Sequence, residues 1–138
     1  MIETFHTVAK AVADPSRLRI LKLLEAGELC VCQITTVLDL AAATVSKHLA
    51  ALKTAGLAQS RRDGKWVYYR LAERDFNPHA RAFLELLRTS LTNDPTIAAD
   101  RAVLAQVNAV PLQVLCDHGR AALGQNHSSS PSCCEKRT

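Results

Sequence analysis

Ala42-Ala43-Thr44-Val45-Ser46-Lys47-His48 opens a stretch that reads as a helix over Ala43 to Ala55, with Val45, Leu49 and Leu52 as its apolar face and Gly56 as its stop. Its other face is short and polar. Upstream, Cys30 to Leu38 predicts a short helix, and Asp39-Leu40-Ala41 a tight connection. Downstream, Leu57 to Arg62 and Lys65 to Leu71 flank Asp63-Gly64, the strongest two-residue hairpin signal, and the second arm holds Trp66, Val67, Tyr68 and Tyr69. The order helix, turn, helix, hairpin predicts a mainly α fold: a winged helix-turn-helix, with α-helices plus a two-stranded β-hairpin wing.

The flanking sequence fits that frame. Phe5, Val8, Ala9 and Val12 give Ile2 to Ala13 one apolar helical face. Asp14-Pro15-Ser16 supplies a capping acid and a first-turn proline for a second helix that ends at Gly27. Ala80 to Leu91 and Pro95 to Val110 read as further helices, the latter ending before Pro111. From Gly124 the composition turns to Gly, Asn, Ser and Pro. The expected organisation is a DNA-binding and dimerisation domain over 1–92, a C-terminal helical extension over 93–123, and a flexible Cys-containing tail over 124–138.

Composition narrows the function. At 138 residues and 48% hydrophobic the chain has enough apolar sequence for a core, and 4% aromatic content favours packed helices over a β-sandwich. No apolar run reaches the length of a membrane span, and Met1-Ile2-Glu3-Thr4 lacks the basic start of a secretion signal, so a cytoplasmic location without membrane contact is expected. No phosphate-cradling Gly-rich loop, His-Glu-x-x-His or evident nucleophile and base pair is present, and no catalytic residue is assigned. A formal net charge of +4 is modest, so a nucleic-acid reading depends on where the cations sit.

They sit where a duplex would meet them. A helix entering the major groove offers short polar side chains near its N-terminal end, and Thr44, Ser46, Lys47 and His48 are those residues here. Ala41, Ala42 and Ala43 let the backbone approach closely, and Arg61, Arg62 and Lys65 cluster about the wing tip, suited to phosphates or a narrow minor groove.

A second constellation is sulfur. The five Cys group as Cys30/Cys32 and Cys133/Cys134, with Cys116 apart. Thiolates are soft ligands for thiophilic ions. In a regular helix residues two apart point about 200° apart at 3.6 residues per turn. Hence either Cys30 lies before the first helical turn or ion binding bends the helix. Cys116, amid Val114, Leu115 and Asp117-His118-Gly119, reads as an ordinary packed cysteine.

Asp14-Pro15-Ser16-Arg17-Leu18-Arg19-Ile20-Leu21, Glu28-Leu29-Cys30-Val31-Cys32, Thr44-Val45-Ser46-Lys47-His48-Leu49 and the Asp63-Gly64 wing together resemble the ArsR/SmtB family of metal-responsive winged-helix repressors, over about Ile2 to Leu91. The resemblance implies a homodimer built from the first and post-wing helices, which binds double-stranded operator DNA of imperfect palindromic sequence and leaves it when an inducer binds. It also implies the inducer: Glu-Leu-Cys-Val-Cys marks sensors of As(III) and Sb(III), and also cadmium and lead sensors that draw further Cys from an N-terminal extension. The arsenic pattern often adds a third Cys three residues on, where this chain has Thr35. Either only two thiolates bind, or a third comes from elsewhere, Cys133 and Cys134 being the natural donors. Alternatively that terminal pair forms a methylarsenite-selective site of its own, or the thiols serve as a redox switch on the same fold. The Asp-x-His and His-x-x-Glu pairs of the family's zinc sensors are missing from the post-wing helix.

Overall fold

The protein, as a computed structural model, is described over residues 1–73 and 77–123. Its elements run α1 (Ile2–Ala11), α2 (Pro15–Leu24), β1 (Leu29–Cys30), α3 (Val31–Leu38), α4 (Ala42–Thr54), β2 (Ala58–Asp63), β3 (Trp66–Leu71), α5 (Pro78–Arg88), α6 (Pro95–Asn108) and α7 (Leu112–His118), then a single 3₁₀ turn over Gly119–Ala122.

Local chemistry sets the helix starts. The Asp14 carboxylate accepts from the N–H groups of Ser16 at 2.7 Å and Arg17 at 3.2 Å, and Pro15 occupies the first turn of α2. Asp94 caps α6 in the same way, accepting from Thr96 at 2.9 Å and Ile97 at 3.1 Å. The α3–α4 turn forms because Asp39 takes the left-handed conformation, φ 57°, and closes α3 through its N–H to Thr35 O at 2.9 Å. After α4 the chain turns at Gly56, φ 78°, where a Cβ would stand 3.3 Å from that of Asn77.

The hairpin of β2 and β3 pairs Asp63 with Trp66 at its tip, as the Asp63-Gly64 signal predicts. The sheet is wider than the expected two strands. β1 adds antiparallel to β3, pairing Cys30 with Tyr68, so the order is β1-β3-β2. The wing is therefore hydrogen-bonded to the segment that launches α3.

Ile20, Leu21, Leu23, Ile34, Val37, Val45, Leu49, Leu52 and Leu57 are fully buried, so α2, α3, α4 and the start of β2 share one core. Leu104, Val107, Val110, Leu115 and Ala122 join the same cluster, which places α6, α7 and the 3₁₀ turn on the body of the fold. Two polar clamps fix that attachment. Arg19 of α2 grips the buried Asp100 of α6 with two 2.8 Å bonds, and Arg120 donates to the last carbonyls of α3, Thr36 at 3.0 Å and Val37 at 2.7 Å. α1 packs on α5, with Phe5 edge-on to His79 at 5.1 Å. There Ile2, Phe5 and Leu86 remain exposed. No helix among the described residues is long and apolar enough to cross a membrane.

Candidate nucleic-acid interface and thiol cleft

On α4, Val45, Leu49 and Leu52 point into the core, so Thr44, Ser46 and Lys47 are left exposed on the outer face. Ala41 supplies no side-chain cap, so the first N–H groups of α4 sit beside that polar face without a local side-chain acceptor. His48 is half-buried, and its Nδ1 accepts from Arg17 Nε at 3.1 Å. Arg17 thus positions His48 from α2, a pairing that the sequence did not signal because the two residues lie on different helices.

The wing cations divide into two kinds. Arg61 is committed: its guanidinium grips the Glu28 carboxylate at 2.7–3.0 Å and lies 4.5 Å above the Tyr68 ring, which holds the Glu28 carboxyl below its ordinary range. Arg62 and Lys65 stand at the tip. Arg62 Nε donates to Gly64 O at 3.0 Å, and Lys65 Nζ lies 4.9 Å from the Trp66 ring centre, so both charges stay close to the turn.

Cys30 is the residue immediately before α3, with extended backbone (φ −72°, ψ 148°), and Gln33 Oε1 accepts its N–H at 2.8 Å. The first of the two geometric alternatives for Cys-x-Cys therefore holds: Cys30 lies outside the regular turn, and its sulfur is not forced opposite that of Cys32. The buried Cys30 thiol is lowered to about 6. The chief cause is the Cys32 thiol, which donates to it, aided against burial by the backbone N–H groups of Cys32, Val67 and Val31. Cys32 is pushed up in turn, because it keeps the shared proton, is itself largely shielded, and faces both Cys30 and Cys116.

Cys116 is the residue whose place the sequence did not reveal. It lines one cleft together with Cys30 and Cys32, and that cleft is also walled by Ser46 of α4 and by Lys65, Trp66 and Val67 of the wing. Thr35, where the resemblance would put a third Cys, instead donates its hydroxyl to Val31 O at 2.8 Å. Cys133 and Cys134 lie outside the described residues. No three His, Cys, Asp or Glu side chains among the described residues are already arranged to hold an ion.

The model of the family described as "Bacterial regulatory protein, arsR family" matches residues 14–60, the stretch from the α2 cap to β2. The "Arsenic resistance transcriptional regulator ArsR2" of Pseudomonas putida is 37% identical over 98 residues, covering 70% of this chain and 81% of that protein. The chain belongs to the ArsR family.

Two further relatives match a shorter stretch of the chain. The "Arsenical resistance operon repressor" of Escherichia coli is 52% identical over 64 residues, 46% of this chain and 55% of that one. A "Cadmium resistance transcriptional regulatory protein CadC homolog" of Staphylococcus aureus is 45% identical over 65 residues, 46% and 54%. The chain thus spans about half the length of each of these two relatives. Among solved structures, the solution NMR structure of the homodimeric winged helix-turn-helix DNA-binding domain of a "possible ArsR-family transcriptional regulator" from Mycobacterium bovis matches with TM-score 0.55. It is 39% identical and covers 63% of this chain and 77% of that one.

Proposed function

We propose that this ArsR-family chain is a repressor that binds operator DNA as a homodimer in the cytoplasm and leaves it when As(III) or Sb(III) binds the thiolates of Cys30 and Cys32. The observation that carries the reading is the shared cleft: the thiols, the recognition helix and the wing wall the same space. An ion gripped there pulls on β1 and the start of α3, which are paired to β3 and lead through the Asp39 turn into α4. An inducer that favours the distorted state over the DNA-competent one lowers operator affinity by the same coupling factor.

Thr44, Ser46, Lys47 and His48 are the proposed groove contacts, and Arg61, Arg62 and Lys65 the wing contacts, Arg61 bracing the base while the other two reach phosphate. The exposed apolar side chains of α1 and α5 fit a two-fold dimer. It would set the two recognition helices about 34–36 Å apart, one turn of duplex.

The test is operator binding with and without arsenite. Wild type should release its operator on arsenite addition, whereas Cys30→Ser and Cys32→Ser should bind DNA normally and ignore the metalloid. A Cys30→Ser protein that responds fully would sink the site assignment.

The cleft shared by Cys30, Cys32 and Cys116 also supports a second reading, a thiol redox switch. In that case diamide alone would release the operator and dithiothreitol would restore binding. A third reading assigns methylarsenite sensing to Cys133 and Cys134, and Cys133→Ser/Cys134→Ser would then remove the response to methylarsenite but not to arsenite.

A further inference from the structure

We infer that Cys116, on α7, is the third thiol of the inducer site, so that a trivalent metalloid is held by the sulfurs of Cys30, Cys32 and Cys116 and draws α7 against α3. The inference rests on the reading of Cys30 and Cys32 as inducer ligands.

Two thiols leave a trivalent centre one bond short. The remaining position needs a soft donor that reaches the same space, and Cys116 already lines the cleft with Cys30 and Cys32. It also lines the neighbouring cleft between α3 and α7 beside Cys32. The packing role on α7 belongs to the adjacent Leu115, which is 2% exposed, while Cys116 stays half-buried and faces the clefts. A thiol there does more than fill the core.

The fold also lowers the cost of using it. Asn108, at the end of α6, accepts from Gln33 Nε2 at 3.2 Å near the start of α3, and Arg120, just after α7, holds the α3 carbonyls at its far end. α7 is therefore tethered beside α3 before any ion arrives. A ligand on it avoids the loop-closure entropy that a donor from a polar tail must lose. The three thiols are not preassembled for an ion, so ligation must close the cleft. That closure carries force into α3 from both ends at once.

The chemistry balances without an oxidant. Three As–O bonds of As(OH)₃ are replaced by three As–S bonds, each departing hydroxide leaves as water with a proton from its thiol, or from solvent where the sulfur is already a thiolate, and arsenic stays trivalent. Methylarsenite has two exchangeable hydroxyls and needs two thiols, so it separates the roles.

Reduced full-length protein is titrated with arsenite and with methylarsenite, and the arsenic environment is read by X-ray absorption. Wild type should show three sulfur neighbours with arsenite. Cys116→Ser should show two sulfurs and one oxygen, with affinity lower by at least about tenfold, the lower bound for losing even an outer-shell partner of a bound ion. Its methylarsenite affinity should be unchanged, and Cys116→Ala should behave alike. In the wild type, arsenite should protect Cys116 from alkylation, a readout that needs no variant. Three sulfurs retained in Cys116→Ser, two sulfurs in the wild type, or loss of the third sulfur in Cys133→Ser/Cys134→Ser would each overturn the assignment. Arsenite binding by Cys30→Ser equal to that of the wild type would instead overturn the underlying reading of the site.

Discussion

Helix α4, the proposed recognition helix, and the C-terminal pair α6–α7 both pack on α3, yet they are built on opposite plans. α4 presents most of its polar groups outward and is held mainly by apolar contacts, Val45, Leu49 and Leu52 being buried while Thr44, Ser46 and Lys47 are exposed and only His48 is tied to the fold, by Arg17. The α6–α7 side turns its polar groups inward onto the fold: Asp100 to Arg19, Asn108 to Gln33, and Arg120 to the α3 carbonyls. A surface proposed to meet a duplex keeps most of its polar groups towards solvent. An extension that must hold one helix in place commits them. The thiol cleft lies where the two plans meet.

The strongest way to break this contrast is at Asp100. Arg19→Met leaves a carboxylate that is 7% exposed at its side chain without its cation, and should cost about 3 kcal/mol, the lower end for a broken buried pair because the Arg19 side chain is 25% exposed. Chemical denaturation measures it, and no loss would show that α6 is not fastened through that pair. Arg120→Ala is the milder version. The side chain is 43% exposed, so the stability loss should be about 1 kcal/mol, with a smaller arsenite-induced drop in operator affinity while affinity without arsenite is kept. Equal arsenite responses in variant and wild type would show that α7 does not transmit the signal.

On the reading face, Arg62→Ala and Lys65→Ala should each reduce the slope of log affinity against log salt by about one. Arg61→Ala should change it less, because Glu28 already neutralises that guanidinium. A slope change for Arg61 as large as for Arg62 would refute the division of the wing cations.

A separate effect is on pH. Cys30 is lowered from an ordinary 9.0 to about 6, so the stability it contributes is complete above pH 9 and is lost as pH falls towards 6. Cys32, shifted upward, opposes this only above its ordinary range. Thermal unfolding followed from pH 6 to 9 should therefore show a rise that Cys30→Ser flattens.

What the sequence made legible follows from how local each signal is. Asp14-Pro15, the 3.6-residue spacing of Val45, Leu49 and Leu52, and Asp63-Gly64 act within a few residues, and α2, α4 and the wing lie where they predict. β1 escaped because two residues carry no alternation to read. α7 is a seven-residue helix directly after the break at Pro111, and Cys116 meets Cys32 only through α3–α7 packing, which no spacing rule encodes. Glu28 and Arg61 likewise find each other because β1 pairs with β3.

If the proposed reader and sensor share one cleft, their ligands must oppose each other reciprocally. The direct measurement is arsenite affinity of the free protein and of the operator-bound protein at fixed salt, beside operator affinity with and without saturating arsenite. The operator should weaken arsenite binding by the same factor by which arsenite weakens operator binding. Equal arsenite affinity in the free and operator-bound protein would contradict it.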